Sequence, residues 1–213
     1  MFQKYIDSQY RRPRGLVGRW IGRKMVQQHQ PENVWTVNLL DVQPADQLLE
    51  VGFGAGFGIQ EAAKKLVSGQ VTGVDFSGAM VRAAGWRNVE GIQAGKVKLI
   101  EGDAARLPFP DASFDKAFSI HSIYFWPDAK AALKHIYRVL KPGGMLVITF
   151  LPTERWESAS LEEPTPTPEF TPYSGAQMQT LLAEIGFVNT HIETDNSPQH
   201  RSNFSVVGYK DRV

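Results

Sequence analysis

The sequence contains no cysteine, which excludes a disulfide framework, a zinc–thiolate site and a thiol nucleophile. It also lacks any apolar run near the roughly 18 residues that a membrane-spanning helix needs. Its opening stretch, MFQKYIDSQYRRPRG, has no apolar core of the signal-peptide kind, so a cytoplasmic protein is the expectation. Net charge is only +1, which gives the chain as a whole no pull on nucleic acid, and no nucleic-acid partner is expected.

What is present suits one globular domain spanning residues 1–213, with 42% hydrophobic and 21% charged residues. Charge is uneven along it. Residues 1–30 carry Lys4, Arg11, Arg12, Arg14, Arg19, Arg23 and Lys24 against the single acid Asp7. Within them Val17, Trp20, Ile21 and Met25 share one helical stripe, so an amphipathic basic helix is expected as a lid. Such a helix also suits weak contact with a membrane surface. Residues 151–173 hold five prolines and five acids, the composition of a loop over an active site.

Between these segments, apolar runs alternate with helical patterns. DQLLEV, QVTGVD, VKLIEGD, FDKAFSIH and MLVITF read as strands, and residues 129–140 as a helix that KPGG ends. Ser77 and Ser174 stand where helices should start, and Gly186 where one should stop. FVNTHIET and FSVVGYK follow one another with no intervening helix. The fold expected is α/β: a Rossmann-like doubly wound seven-stranded sheet, mostly parallel, with an antiparallel C-terminal edge hairpin.

LLEVGFGAGFG, residues 48–58, carries Gly52, Gly54, Gly56 and Gly58. Glycines cost backbone entropy on folding, so their density implies a main chain that something must approach closely. A dinucleotide turn needs G-x-G-x-x-G. From Gly52 the third glycine falls on Phe57, and from Gly54 on Ile59, so that pattern fails in both registers. What fits is acid-x-G-x-G-x-G, from Glu50 to Gly56.

On these residues the chain resembles the class I S-adenosylmethionine-dependent methyltransferases, over about residues 40–210. Further blocks in order carry the resemblance: VTGVDFS, EGDAARLPFPDASFD and IYRVLKPGGMLVITF. It implies S-adenosyl-L-methionine as cofactor. Glu50 is then expected to set negative charge near the cofactor's ammonium, and Gly52, Gly54 and Gly56 to admit its methionine and ribose. Asp75 should take both ribose hydroxyls, Phe76 face the adenine, and Asp103 with the N–H of Ala104 meet the adenine edge. Ser119 completes the expected cofactor shell.

The acceptor should meet the end of the fourth strand, SIHSIYFWPD. This segment lacks the Asn/Asp-Pro-Pro-aromatic motif of adenine and glutamine amino-methylating enzymes. Between Lys116 and Pro127 there are also none of the acids that a guanidinium or a catechol-bound metal would require, and no metal site is expected. A small-molecule O, N or C acceptor remains. The resemblance is greatest to ubiquinone/menaquinone-type enzymes; an apolar, quinone- or lipid-like acceptor competes with a soluble metabolite, and the N-terminal helix favours the apolar one. Those enzymes often carry His-His before Phe-Pro-Asp, where this chain has Tyr124 and Phe125. His121 is the candidate base and Tyr124 the candidate orienting group; alternatively His121 meets the pocket only through its backbone. Phe125 and Trp126 are expected as wall, and His29, His135, His191 and His200 at the surface. A non-catalytic S-adenosylmethionine-binding sensor or partner subunit is the alternative function.

Overall fold

The computed structural model describes residues 30–155, 170–194 and 204–212. The expected N-terminal lid, with His29, lies outside these residues, as do most of the acidic loop and His200.

Among the described residues, a helix that no sequence signal marked comes first: α1 (Gln30–Leu39). Then follow β1 (Gln47–Val51), α2 (Phe57–Lys65), β2 (Gln70–Asp75), α3 (Gly78–Arg87) and the short α4 (Val89–Gln93). The chain continues through β3 (Val97–Glu101), β4 (Phe114–Ile120), α5 (Ala129–Val139), β5 (Leu140–Thr149), α6 (Gly175–Ile185), β6 (Phe187–Thr194) and β7 (Phe204–Lys210). The strands form one seven-stranded sheet in the order β3-β2-β1-β4-β5-β7-β6. All neighbours pair in parallel except β7, which runs antiparallel to β5 and β6. The doubly wound sheet with its C-terminal hairpin is therefore as expected.

Local signals explain most boundaries. Ser174 caps α6 with a full capping box, its Oγ accepting from Gln177 N–H while the Gln177 side chain takes the Ser174 N–H. Gly186 ends that helix in the left-handed conformation. Ser77 occupies the N-cap of α3, but its hydroxyl caps nothing. The helix α5 stops at Val139, just ahead of KPGG, and KPGG already belongs to β5, with Gly143 in the left-handed region; the pairing of β5 with β4 slips by a bulge at Phe114–Lys116.

Apolar clusters cover both faces of the sheet, as burial on each side of a parallel sheet requires. Among the described residues, no helix is long and apolar enough to cross a membrane.

The packing of α1 matters for the site. Thr36 Oγ1 lies 2.5 Å from Thr149 Oγ1 at the last residue of β5, while the Asp41 carbonyl just after the helix accepts from Lys116 Nζ near the start of β4. The helix thus runs opposite to the strands, and its first turn lies at their C-terminal edge. That turn carries Glu32 and Asn33, both buried. Thr149 passes the contact on to Ser205 of β7 through hydroxyls 2.6 Å apart, making a buried polar chain across three elements.

Candidate active site

In a doubly wound sheet, ligands bind beyond the C-terminal strand ends beside the reversal of strand order. Here that point lies between β1 and β4, and a cleft of about 240 Å³ opens there. Val51 and Gly52 from β1 and its turn, Val74 and Asp75 from β2, Phe76 just after it, and residues 102–105 after β3 line it. Phe125, Trp126, Pro127 and Asp128 close the side next to β4.

Several expected cofactor residues meet at this cleft: Gly52, Asp75, Phe76, Asp103 and Ala104. Phe76 is 41% exposed, a large apolar face offered to a ligand instead of to the core. Asp103 accepts from the Ala105 N–H at 2.9 Å, which fixes the short turn after β3. Asp75 is more committed than expected. One oxygen accepts from Gly54 N–H at 2.8 Å and the other from Ser77 N–H at 2.9 Å. Each carboxylate oxygen has a second lone pair, so Asp75 both fastens the glycine turn and keeps acceptor capacity toward the cleft. Burial pushes its pKa up to about 6, opposed by those two N–H donors and reinforced by the charge of Glu101.

Glu50 is more deeply placed than the acids of the cleft wall. It is 2% exposed and sits beneath the turn instead of on the cleft wall. Burial, and then the charge of Asp75, raise its pKa well above the carboxylate range, while the Ile59 N–H donates to it. Its Oε2 has no hydrogen-bond partner among the described residues. Gly54 and Gly56 are also absent from the cleft wall. Gly56 starts α2 with a left-handed φ of 78°; a Cβ there would come within 2.6 Å of Ala84 Cβ, so the residue serves the packing of α2 on α3. Ser119 is buried and bonded to Ser122 Oγ at 2.6 Å, away from the cleft wall.

The two candidate catalytic residues lie together beyond the end of β4 rather than on the cleft wall. His121 leaves the strand with a φ of 50°, uncommon for a residue with a side chain. Its N–H donates to the Thr149 carbonyl at 2.8 Å, and its Nδ1 is 3.3 Å from the Tyr124 hydroxyl. That hydroxyl accepts from the Leu151 N–H and also approaches the Leu151 carbonyl. Burial, then the charge of Glu32, holds the Tyr124 phenol above its ordinary range. An aromatic shell surrounds it: Phe170 stacks on Tyr124, and Phe125 and Phe150 meet it edge-on. His135 and His191 are partly exposed and stand away from this region.

Sequence reasoning missed Glu32, because nothing in an isolated helix turn says that it overhangs a strand edge. It also missed Asp128 at the cleft. That residue's N-cap role, accepting from Ala131 N–H at 2.8 Å, was readable from its place before an apolar-periodic run.

The residues fit the cofactor that the resemblance implies. Three carboxylates, Asp75, Asp103 and Asp128, line the cleft, and among the described residues no lysine or arginine does. A pyrophosphate would find no cation among them, whereas a phosphate-free cation carrying a ribose diol and an adenine meets acids and an aromatic face.

A methyltransferase-domain family model matches residues 49–148. Over 175 residues the chain is 34% identical to the uncharacterized methyltransferase YdaC of Bacillus subtilis, a match covering 82% of this chain and 90% of that protein. It is 37% identical over 122 residues to the demethylmenaquinone methyltransferase of Bacillus cereus, covering 57% of this chain and 51% of that one. A SAM dependent methyltransferase from Aquifex aeolicus shares the fold with a TM-score of 0.70 at 22% identity, covering 89% of this chain and 96% of its own.

Proposed function

The chain belongs to the class I S-adenosylmethionine-dependent methyltransferases, and from that premise we propose that its acceptor is a small molecule with an apolar, quinone- or lipid-like body. The observation carrying this reading is the aromatic side of the cleft next to β4, where Phe125 and Trp126 form the wall and the half-buried Phe170 packs edge-on against Phe125. Such a wall favours a flat or isoprenoid group and desolvates whatever lies against it. Likeness to a demethylmenaquinone methyltransferase supports the same class. The basic composition of residues 1–30 supports weak contact with an anionic membrane surface, where such acceptors reside.

S-adenosylmethionine, when bound, supplies an electrophilic methyl on a sulfonium leaving group. The residues 121–126 orient the acceptor and exclude water, and positioning of that kind accounts for much of the acceleration in a transfer of this type. Where the acceptor must lose a proton, the His121 ring is the base of this reading, with Tyr124 holding its Nδ1 in place. Asp75, Phe76, Asp103 and Ala104 are the cofactor contacts, and Gly52 gives the cofactor its close backbone approach.

The test is transfer of isotopically labelled methyl from S-adenosylmethionine to two acceptor sets. One is a short-chain demethylmenaquinol in detergent micelles; the other is a panel of water-soluble phenols and amines. Label should appear in the organic-extractable product. Label confined to the water-soluble panel would overturn the apolar-body reading.

A further inference from the structure

Gly52 is held from both sides of its strand. Its N–H donates to the Val74 carbonyl of β2 at 2.7 Å. On the β4 side, Ser122 Oγ lies 3.0 Å from the carbonyl of Val51, the last residue of β1, and donates to it. A serine hydroxyl has one proton, so the 2.6 Å contact between Ser119 and Ser122 is then a bond donated by Ser119. The fit is steric as well as polar. A Cβ on Gly52, whose φ is 75°, would overlap both Oγ and Cβ of Ser122. Ser122 thus occupies the space that Gly52 leaves open by having no side chain.

The backbone is arranged for this contact. The left-handed turn at His121 takes the chain out of β4 one residue before Ser122. The His121 N–H is anchored to Thr149, and the Ser122 carbonyl receives the Phe125 N–H at 3.0 Å. One side chain therefore joins the glycine turn, with Val51 and Gly52 on the cleft wall, to the segment carrying His121 and Tyr124.

We propose that Ser122 is a positioning residue for the cofactor seat: its hydroxyl and Cβ set the placement of the Val51–Gly52 peptide, and so couple that seat to the 121–125 segment. The role belongs to the tertiary contact with Gly52 and not to any pattern of neighbours in sequence. It depends on the cofactor being S-adenosylmethionine and is independent of which acceptor the enzyme takes.

The probe is S-adenosylhomocysteine, followed by calorimetry on the full chain. Ser122→Ala removes the hydroxyl and keeps the Cβ, and should weaken binding about tenfold, the loss of roughly one buried hydrogen bond. The KM for S-adenosylmethionine should rise with kcat much less changed, because a misplaced seat affects cofactor capture more than transfer. A merely structural serine would instead lower the thermal midpoint and leave the dissociation constant within twofold of wild type; that result overturns the proposal. A cycle of Gly52→Ala and Ser122→Gly gives a second measurement. The strain of a positive φ is common to Gly52→Ala in both backgrounds, so coupling between the two substitutions reads the contact itself. Gly52→Ala should lose most affinity, and adding Ser122→Gly should restore part of it; strictly additive losses count against the contact. If Gly52→Ala fails to fold, the Ser122→Ala comparison decides alone. Failure of the wild-type chain to bind S-adenosylhomocysteine would instead contradict the cofactor itself.

Discussion

Gly58 makes room for Glu50: a Cβ on Gly58 would come within 2.6 Å of the Glu50 Oε1 and 2.9 Å of its Oε2. The fourth glycine of the turn lies in the first turn of α2 with helical geometry, so it serves neither chain reversal nor ligand approach. It lets the helix settle on a carboxyl buried at the end of β1, where the Ile59 N–H can reach that carboxyl. The acid of the motif and the glycine two residues beyond the motif's end are two halves of one packing contact.

Gly58→Ala should therefore destabilise the protein, although alanine is the better helix former by about 1 kcal/mol. Overpacking against a buried carboxyl should outweigh that gain, with a net loss of about 1–3 kcal/mol in urea denaturation. Pairing it with Glu50→Ala should return much of the loss. A stability increase for Gly58→Ala alone would show that Glu50 moves aside freely.

Cofactor affinity should fall as pH is lowered through about 6, the value to which burial pushes Asp75. Hydroxyl donors and a cationic ligand both favour the ionised carboxylate. Stability of the free protein should move the other way. The folded-state pKa of this group lies above its unfolded value, so the native chain binds the proton more readily, and the Asp75 contribution to stability grows as pH falls through that same window. Calorimetric titration of S-adenosylhomocysteine at pH 7.5 and pH 5 checks the first part; an affinity flat across that range would contradict it. Asp75→Ala should weaken binding by about 1.5–3 kcal/mol at pH 7.5.

His121 separates a chemical role from a conformational one. If its ring takes a proton, His121→Ala should depress turnover by about 10²-fold or more while leaving S-adenosylhomocysteine affinity within about twofold. Its φ of 50° is adopted most readily by glycine and asparagine, so His121→Asn keeps the backbone turn and removes the base. Loss of turnover in both variants supports the base. Full activity in His121→Asn would leave only the turn.

The hydroxyl chain from Thr36 through Thr149 to Ser205 fixes α1 against the strand ends and so holds Glu32 near Tyr124. Thr149→Val should cost about 1–3 kcal/mol by stranding buried hydroxyls, with little change in the urea m-value. It should also lower kcat, since the helix that carries Glu32 loses its tether. Unchanged denaturation would mean that the two flanking hydroxyls find each other or water.

Much of this was legible in the chain. Strict alternation of apolar runs with helical periodicity set the doubly wound sheet. The Ser174 and Gly186 signals marked α6, and the failed third glycine excluded a dinucleotide turn before any fold was known. These are local matters: period, cap chemistry and turn geometry depend on neighbours within a few residues.

The rest required the tertiary structure because it concerns residues far apart in sequence. Glu50 was readable as the acid of the motif, but only packing puts it beneath the turn against Gly58. Asp75 was readable as a strand-end acid, but only the fold gives its oxygens to Gly54 and Ser77. Ser122 gains its meaning from Gly52, seventy residues earlier, and Glu32 from a helix laid across strands that appear later in the chain. By itself, the sequence determined the sheet, since period is a property of the chain, and it carried the motif blocks whose family resemblance implies the cofactor. Tertiary packing alone decided which of the acids reaches the cleft, because burial and charge depend on what surrounds a group in space.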